Sequence, residues 1–217
     1  MPETTGVRSW FVGADHSFAE QARLRRWTRI AEAFPDLQSM RVLDLGGTTL
    51  YWTRAPVRPR SVTVINLHAP GHGVPWVRPI VGDACDAREL AGDEEYDLVF
   101  SNSLIEHLGG HEKRVRFAEV VRCMAPRYAV QTPYAYFPIE PHWIFPGMQF
   151  LPMSVRIWLA SRWPLGHTHR CTASEAREEV MFTELLSLTE MRSYFPEAHI
   201  AWERLAGLPK SMTAFRR

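Results

Sequence analysis

Short apolar runs of five or six residues recur along this chain, each ending in polar or glycine-rich punctuation. Helical spacing fills several of the gaps between them. Arg41–Leu45 breaks into Gly46-Gly47 and predicts a buried strand feeding a tight turn. Ser61–Asn66, rich in β-branched residues, predicts a second strand, and 77–81 a third that ends at Gly82-Asp83-Ala84. Residues 96–101 and 127–131 predict a fourth and a fifth. The capping-box pattern Ser17-Phe18-Ala19-Glu20 opens a helix with Leu24, Trp27, Ala31 and Phe34 on its apolar face, stopped by Pro35. Shorter helical stretches fall at 48–54 and 86–90, and a longer helix at 112–124 places Val115, Ala118 and Val121 on one face. Residues 68–75, with two glycines and two prolines, read as a loop. Helical segments are expected near 183–188 and 189–195. Two closing strands, 199–205 and 211–215, are joined by Gly207-Leu208-Pro209-Lys210. This alternation implies an α/β, doubly wound, mostly parallel sheet of about seven strands with a C-terminal antiparallel hairpin.

Two segments stand outside the rhythm. Residues 1–16 have no periodicity and read as an arm or lid. Residues 134–163 are rich in aromatics and prolines. At 217 residues the chain fits a single domain, 1–217, with an N-terminal arm and helix over 1–35 and a substrate-side cap over 133–170. Its 25 basic and 24 acidic residues leave a net charge of +1, which argues against a nucleic-acid binder driven by phosphate contacts. Cys85, Cys123 and Cys171 lie far apart and suit a reducing, cytoplasmic setting rather than a disulfide framework. No run is long and apolar enough to span a bilayer, and the first residues lack a signal-peptide pattern.

The candidate chemistry sits at the carboxyl ends of the strands, where ligands of doubly wound sheets bind. The Asp44-Leu45-Gly46-Gly47 turn either cradles a ligand or makes a tight connection. A second stretch, Tyr96-Asp97-Leu98-Val99-Phe100-Ser101-Asn102-Ser103-Leu104-Ile105-Glu106-His107, runs from strand to polar edge to helix start. The two together resemble the class I S-adenosylmethionine-dependent methyltransferases. The resemblance covers roughly 41–131 by motif and implies a Rossmann-like methyltransferase fold with S-adenosylmethionine as cofactor. Only the first glycine of the family's Gly-x-Gly-x-Gly is matched by Gly46-Gly47-Thr48-Thr49-Leu50, and Asn66 stands where the family places an acidic residue.

The resemblance implies a cofactor site of Asp44, Gly46, Gly47, Asn66, Asp83, Ala84, Asn102 and Ser103. Asn66 would meet the ribose or cap a turn; Asp83 and Ala84 would meet the adenine or start a helical turn. Asn102 and Ser103 would lie under the methionine moiety. Glu106 and His107 would face the substrate or tie the helix start to a neighbouring loop. Beyond the fifth strand, Thr132-Pro133-Tyr134-Ala135-Tyr136-Phe137-Pro138-Ile139-Glu140-Pro141-His142-Trp143 resembles a bacterial subgroup of the same family. Tyr134, Tyr136, Glu140 and His142 are expected to converge there. His142 would deprotonate the acceptor, held by Glu140 and with Tyr134 nearby, or the pair would lock the loop. Tyr136 and Trp143 would line the substrate.

The aromatic stretch 142–163 fits a pocket wall, an interfacial helix touching a membrane surface, a cap on the core, or a dimer interface. His167-Thr168-His169 does not make a metal site, so no metal is expected. The implied reaction moves a methyl group to an oxygen or nitrogen of a small molecule, sugar or lipid-linked glycan, by a monomer or homodimer. The alternatives are a non-catalytic S-adenosylmethionine-binding module and a nucleotide-dependent enzyme of similar fold.

Overall fold

The computed structural model describes residues 18–69, 71–163 and 172–217. Its main sheet has seven strands: β1 (Arg41–Leu45), β2 (Ser61–Asn66), β3 (Val77–Val81), β4 (Leu98–Asn102), β5 (Arg127–Pro133), β8 (His199–Leu205) and β9 (Leu208–Arg216). Their order across the sheet is β3-β2-β1-β4-β5-β9-β8. The first five run parallel, whereas β9 lies antiparallel to both β5 and β8. A two-stranded ribbon, β6 (Ile139–Glu140) with β7 (Phe145–Pro146), stands apart from it.

The helices are α1 (Phe18–Ala33), α2 (Thr49–Thr53), α3 (Ala87–Ala91), α4 (His111–Met124), α5 (Met153–Ala160), α6 (Ala173–Phe182) and α7 (Leu188–Tyr194). Both faces of the sheet are covered. Phe117, Val121 and Tyr194 pack with Leu43 and Val99 on one side; Trp27, Ile30 and Phe34 pack with Val42 and Phe100 on the other. Neighbouring residues of one strand therefore feed opposite cores, as the two-residue repeat of a strand requires.

The strand pattern predicted β1, β2, β3 and β8 over their observed spans, and 1–16 lies outside the described residues. Three expectations are corrected. The buried face of α1 is Trp27, Ile30, Ala33 and Phe34, while Leu24 is 56% exposed. No helix occupies 183–187, and Leu188 already belongs to α7. Thr183 ends α6, and Leu186 bridges Tyr134 in an extended conformation. The final turn is shorter than expected, because Ala206 and Gly207 both adopt positive φ and β9 begins at Leu208. A bulge between Glu203 and Arg204 keeps the β8–β9 register.

Candidate active site

The strand order reverses between β1 and β4, and the glycine turn emerges at that point. Gly46 has φ +85°, and a Cβ there would meet the Leu104 side chain at 2.8 Å. Gly47 is not in the left-handed region. It is required for space, since a Cβ would fall 1.7 Å from Asp44 Oδ2. Asp44 is fully buried; its Oδ2 accepts from Trp52 Nε1 at 2.6 Å, and its Oδ1 has no partner among the described residues. Burial pushes this carboxyl up to about 7, against the opposing pull of the Trp52 N–H.

Asn66 closes the turn from β2. Its Nδ2 donates to the carbonyls of Gly46 and Gly47, both at 2.9 Å, and its Oδ1 accepts from the His68 N–H at 3.1 Å. Asp83 caps a short helical turn, with Oδ1 accepting from the Cys85 N–H at 2.9 Å, and Ala84 is buried behind it. Asn102 ends β4, and its Oδ1 accepts from Arg26 Nη1 at 2.5 Å. Ser103 follows at φ 55°, pinned by its N–H and hydroxyl to the Gln131 carbonyl and side chain. Glu203 Oε2 takes Arg26 Nη2 at 3.2 Å, so α1 and β8 meet at the edge of the same crevice.

A second cluster lies a few residues further on. Glu106 is fully buried; its Oε2 accepts from the Thr132 hydroxyl at 3.0 Å, and its carbonyl from the Glu184 N–H at 2.9 Å. Burial raises its carboxyl, opposed by the charge on His142 and the hydrogen bond from Thr132. The His107 and His142 rings meet edge to face, Nε2 to Nε2 at 3.1 Å. His142 Nδ1 lies 2.7 Å from Glu140 Oε1, and the backbone N–H groups of His142 and Trp143 hold Glu140 Oε2 at 2.8 and 2.9 Å. A carboxylate only accepts, so the Nδ1 proton of His142 is assigned to this contact. Burial presses the His142 imidazole down, but the hydrogen bond and charge of Glu140, then the charges of Glu106 and Glu179, leave it raised.

The tyrosines make aromatic contacts of their own. Tyr134 packs edge-on against Trp202 and Tyr136, and Tyr136, 61% exposed, lies on Phe150. The ring contacts of Tyr134 and Tyr136 run to Trp202, Phe150 and each other, whereas Glu140 and His142 contact one another and His142 contacts His107. Trp143 is 1% exposed, packed with Met148, Ala160, Ala176 and Val180, and its carbonyl accepts from Trp163 Nε1 at 2.8 Å. It serves as packing rather than as an open wall. Phe150, Met153 and Trp158 of the same segment are exposed. No helix among the described residues is long and apolar enough to cross a membrane.

Sequence reasoning missed Arg26, Thr132 and Thr183. Arg26 sits beside Arg25 in an ordinary amphipathic helix, with no motif to single it out. Thr183 Oγ1 lies 3.3 Å from His107 Nδ1, placed there by the end of α6. The hollows lined by Arg41, Trp76 and Glu94, and by Arg88, Asp93 and Cys123, lie towards the amino ends of the strands and contain none of these groups.

No protein-family model matches the chain, and no curated protein sequence does. Solved structures share its architecture. The N-methyltransferase NodS from Bradyrhizobium japonicum WM9, in complex with S-adenosyl-L-homocysteine, superposes with a TM-score of 0.55 at 10% identity, over 98% of this chain and 96% of that one. This chain has the class I methyltransferase fold. The 1,6-didemethyltoxoflavin-N1-methyltransferase of Burkholderia thailandensis, with its bound substrate and S-adenosylhomocysteine, gives 0.53 at 19% identity, covering 97% of this chain and 84% of that one. The N-terminal domain of EvdMO1, in the presence of SAH and D-fucose, gives 0.53 at 16% identity over 95% and 88%. In the class I methyltransferase fold of this chain, the glycine turn and the Glu106–His107 turn occupy one crevice edge.

Proposed function

We propose that this protein is an S-adenosylmethionine-dependent methyltransferase acting on an oxygen or nitrogen of a small-molecule acceptor, sugars and lipid-linked glycans included. One observation carries the reading. The residues from Ser103 to His107 join the glycine turn, through Leu104 against Gly46, to the His107–His142–Glu140 cluster, in which Glu140 and His142 are buried and His107 is exposed. A cofactor on the turn thus presents its methyl group beside a proton acceptor.

In this reading Asp44, Gly46 and Gly47 shape the cofactor pocket. The second lone pair of Asn66 Oδ1 takes a ribose hydroxyl. Asp83 Oδ2 and the Ala84 backbone meet the adenine. Asn102, Ser103 and Arg26 face the methionine moiety, where the guanidinium suits its carboxylate. The acceptor's lone pair forms a bond to the methyl carbon as the carbon–sulfur bond breaks, its electron pair passing to sulfur. The acceptor's proton goes to the Nε2 lone pair of the imidazole pair, while His142 Nδ1–H stays on Glu140, which stabilises the charge that results. Tyr134 and Tyr136 offer an aromatic approach to this edge, and 133–170 acts as the substrate-side cap that excludes water. The small-molecule acceptor is supported by the small molecules named with the structural neighbours, 1,6-didemethyltoxoflavin and D-fucose, and by the near-neutral charge of the chain.

Calorimetric titration with S-adenosylmethionine and S-adenosylhomocysteine tests the cofactor, with saturable binding of both expected. Binding of neither overturns the reading; binding without transfer to any acceptor of a small-molecule panel identifies a non-catalytic module. Once an acceptor is in hand, His142→Ala lowers kcat by about 10²–10⁴-fold with cofactor affinity retained. Wild-type turnover in that variant would make His142 a loop lock.

A further inference from the structure

Methyl transfer by the imidazole pair makes no use of Glu106 Oε1. That oxygen belongs to a fully buried carboxylate and has no hydrogen-bond partner among the described residues. An unsatisfied buried acceptor of this kind calls for an explanation such as an ion. One donor atom each from Glu106, His107 and His142 lies within 4.8 Å of the others.

The spacing is that of a chelate. Ligands held at about 2.0–2.2 Å from one ion lie roughly 3–4 Å from each other. The two Nε2 atoms are 3.1 Å apart, and a Glu106 oxygen lies within 4.8 Å of a donor nitrogen on each ring. The far side of each ring is held: His142 Nδ1 by Glu140 at 2.7 Å, His107 Nδ1 by Thr183 Oγ1 at 3.3 Å. Glu140 is itself fixed by two backbone N–H groups. Carboxylate–histidine support of this sort aims the outer nitrogen at a metal and raises its basicity. Two imidazoles and one carboxylate are the protein donor set of catalytic zinc and of non-haem iron.

We propose that Glu106, His107 and His142 bind a divalent first-row transition ion at the acceptor side of the crevice. The inference takes only the location of the acceptor side from the methyltransferase reading. Binding needs a lone pair on both Nε2 atoms, so any proton held there leaves to solvent, and His142 then serves as a ligand instead of a proton acceptor. The sequence expectation of no metal rested on local spacings, including His167-Thr168-His169, which lies outside the described residues, and on the lack of clustered carboxylates. The donors here are brought together across 35 residues.

The test is titration of chelator-treated full-length protein with cobalt(II), followed visibly, then competition with zinc(II). The expected result is one equivalent bound, with the intense absorption of four- or five-coordinate cobalt, bleached by zinc and lost in Glu106→Gln and His107→Ala. Failure to bind one equivalent, a pale six-coordinate spectrum, or a spectrum unchanged in both variants overturns the proposal. If either variant fails to fold, X-ray absorption at the zinc edge of wild-type protein decides: two imidazoles support the site, fewer overturn it. Titration of the metal-free protein with S-adenosylhomocysteine, run alongside, tests the methyltransferase reading separately.

Discussion

Asp44 is the residue at which burial and chemistry conflict most directly. Its carboxyl is raised to about 7 because desolvation outweighs the single Trp52 N–H bond. Between 3.8, the ordinary value of an aspartate, and about 7, the folded state therefore holds a proton that the unfolded chain releases. The resulting stability is fully present below 3.8 and is lost as pH rises through about 7, by up to about 4 kcal/mol on linkage. Asp44→Asn removes this dependence. Urea unfolding across the same window is expected to give a falling midpoint for wild type and a flatter one for the variant. Parallel curves would show that Asp44 stays ionised in the fold. Gly47 makes the same point sterically: the side chain it lacks would occupy the place of Asp44 Oδ2. Sequence alone marked both positions as a turn with close approach, but not that the group approaching Gly47 is the Asp44 carboxyl.

Among the elements, the connection after β4 carries the site, and α4 supports it from behind. Arg114 of α4 is buried, and its Nη2 donates to the Glu184 carbonyl at 3.0 Å and to Glu184 Oε2 at 2.7 Å. The Glu184 N–H in turn holds the Glu106 carbonyl, and neighbouring Thr183 meets His107. Arg114→Met leaves the Glu184 carbonyl without this donor. A loss of about 1–3 kcal/mol in denaturant stability is expected, since a buried hydrogen-bonding group loses its partner. The His107 imidazole resonance should move as well; an unmoved resonance would uncouple α4 from the site. α6 escaped the sequence reading because only Ala176 and Val180 of its described side chains are buried, too narrow a stripe to register as periodicity. Its capping box, Thr172 with Glu175, was the signal that could have located it.

At the scale of the molecule, the two large cores flank the sheet, while Trp143, Met148, Ala160, Ala176 and Val180 form a third core of their own. A separate small core opens at lower free energy than the sheet it rests on. Native-state amide exchange is accordingly expected to be faster in α5, α6 and β6–β7 than in β1, β4 and β5, with the gap persisting at low denaturant. Uniform protection would merge the third core with the rest. The sequence by itself determined the strands, the switch-point turn and the places of Asp83 and Asn66, because apolar alternation and glycine punctuation act over a few residues. Only the tertiary structure decided that Arg26 reaches Asn102, that Glu106 and His107 meet His142, and that Trp143 is packed away. Those contacts depend on β4 lying beside β5 and on α1 and α6 closing over the edge. Such pairings are set by the burial of whole faces, which leaves no mark at the spacing of any single motif.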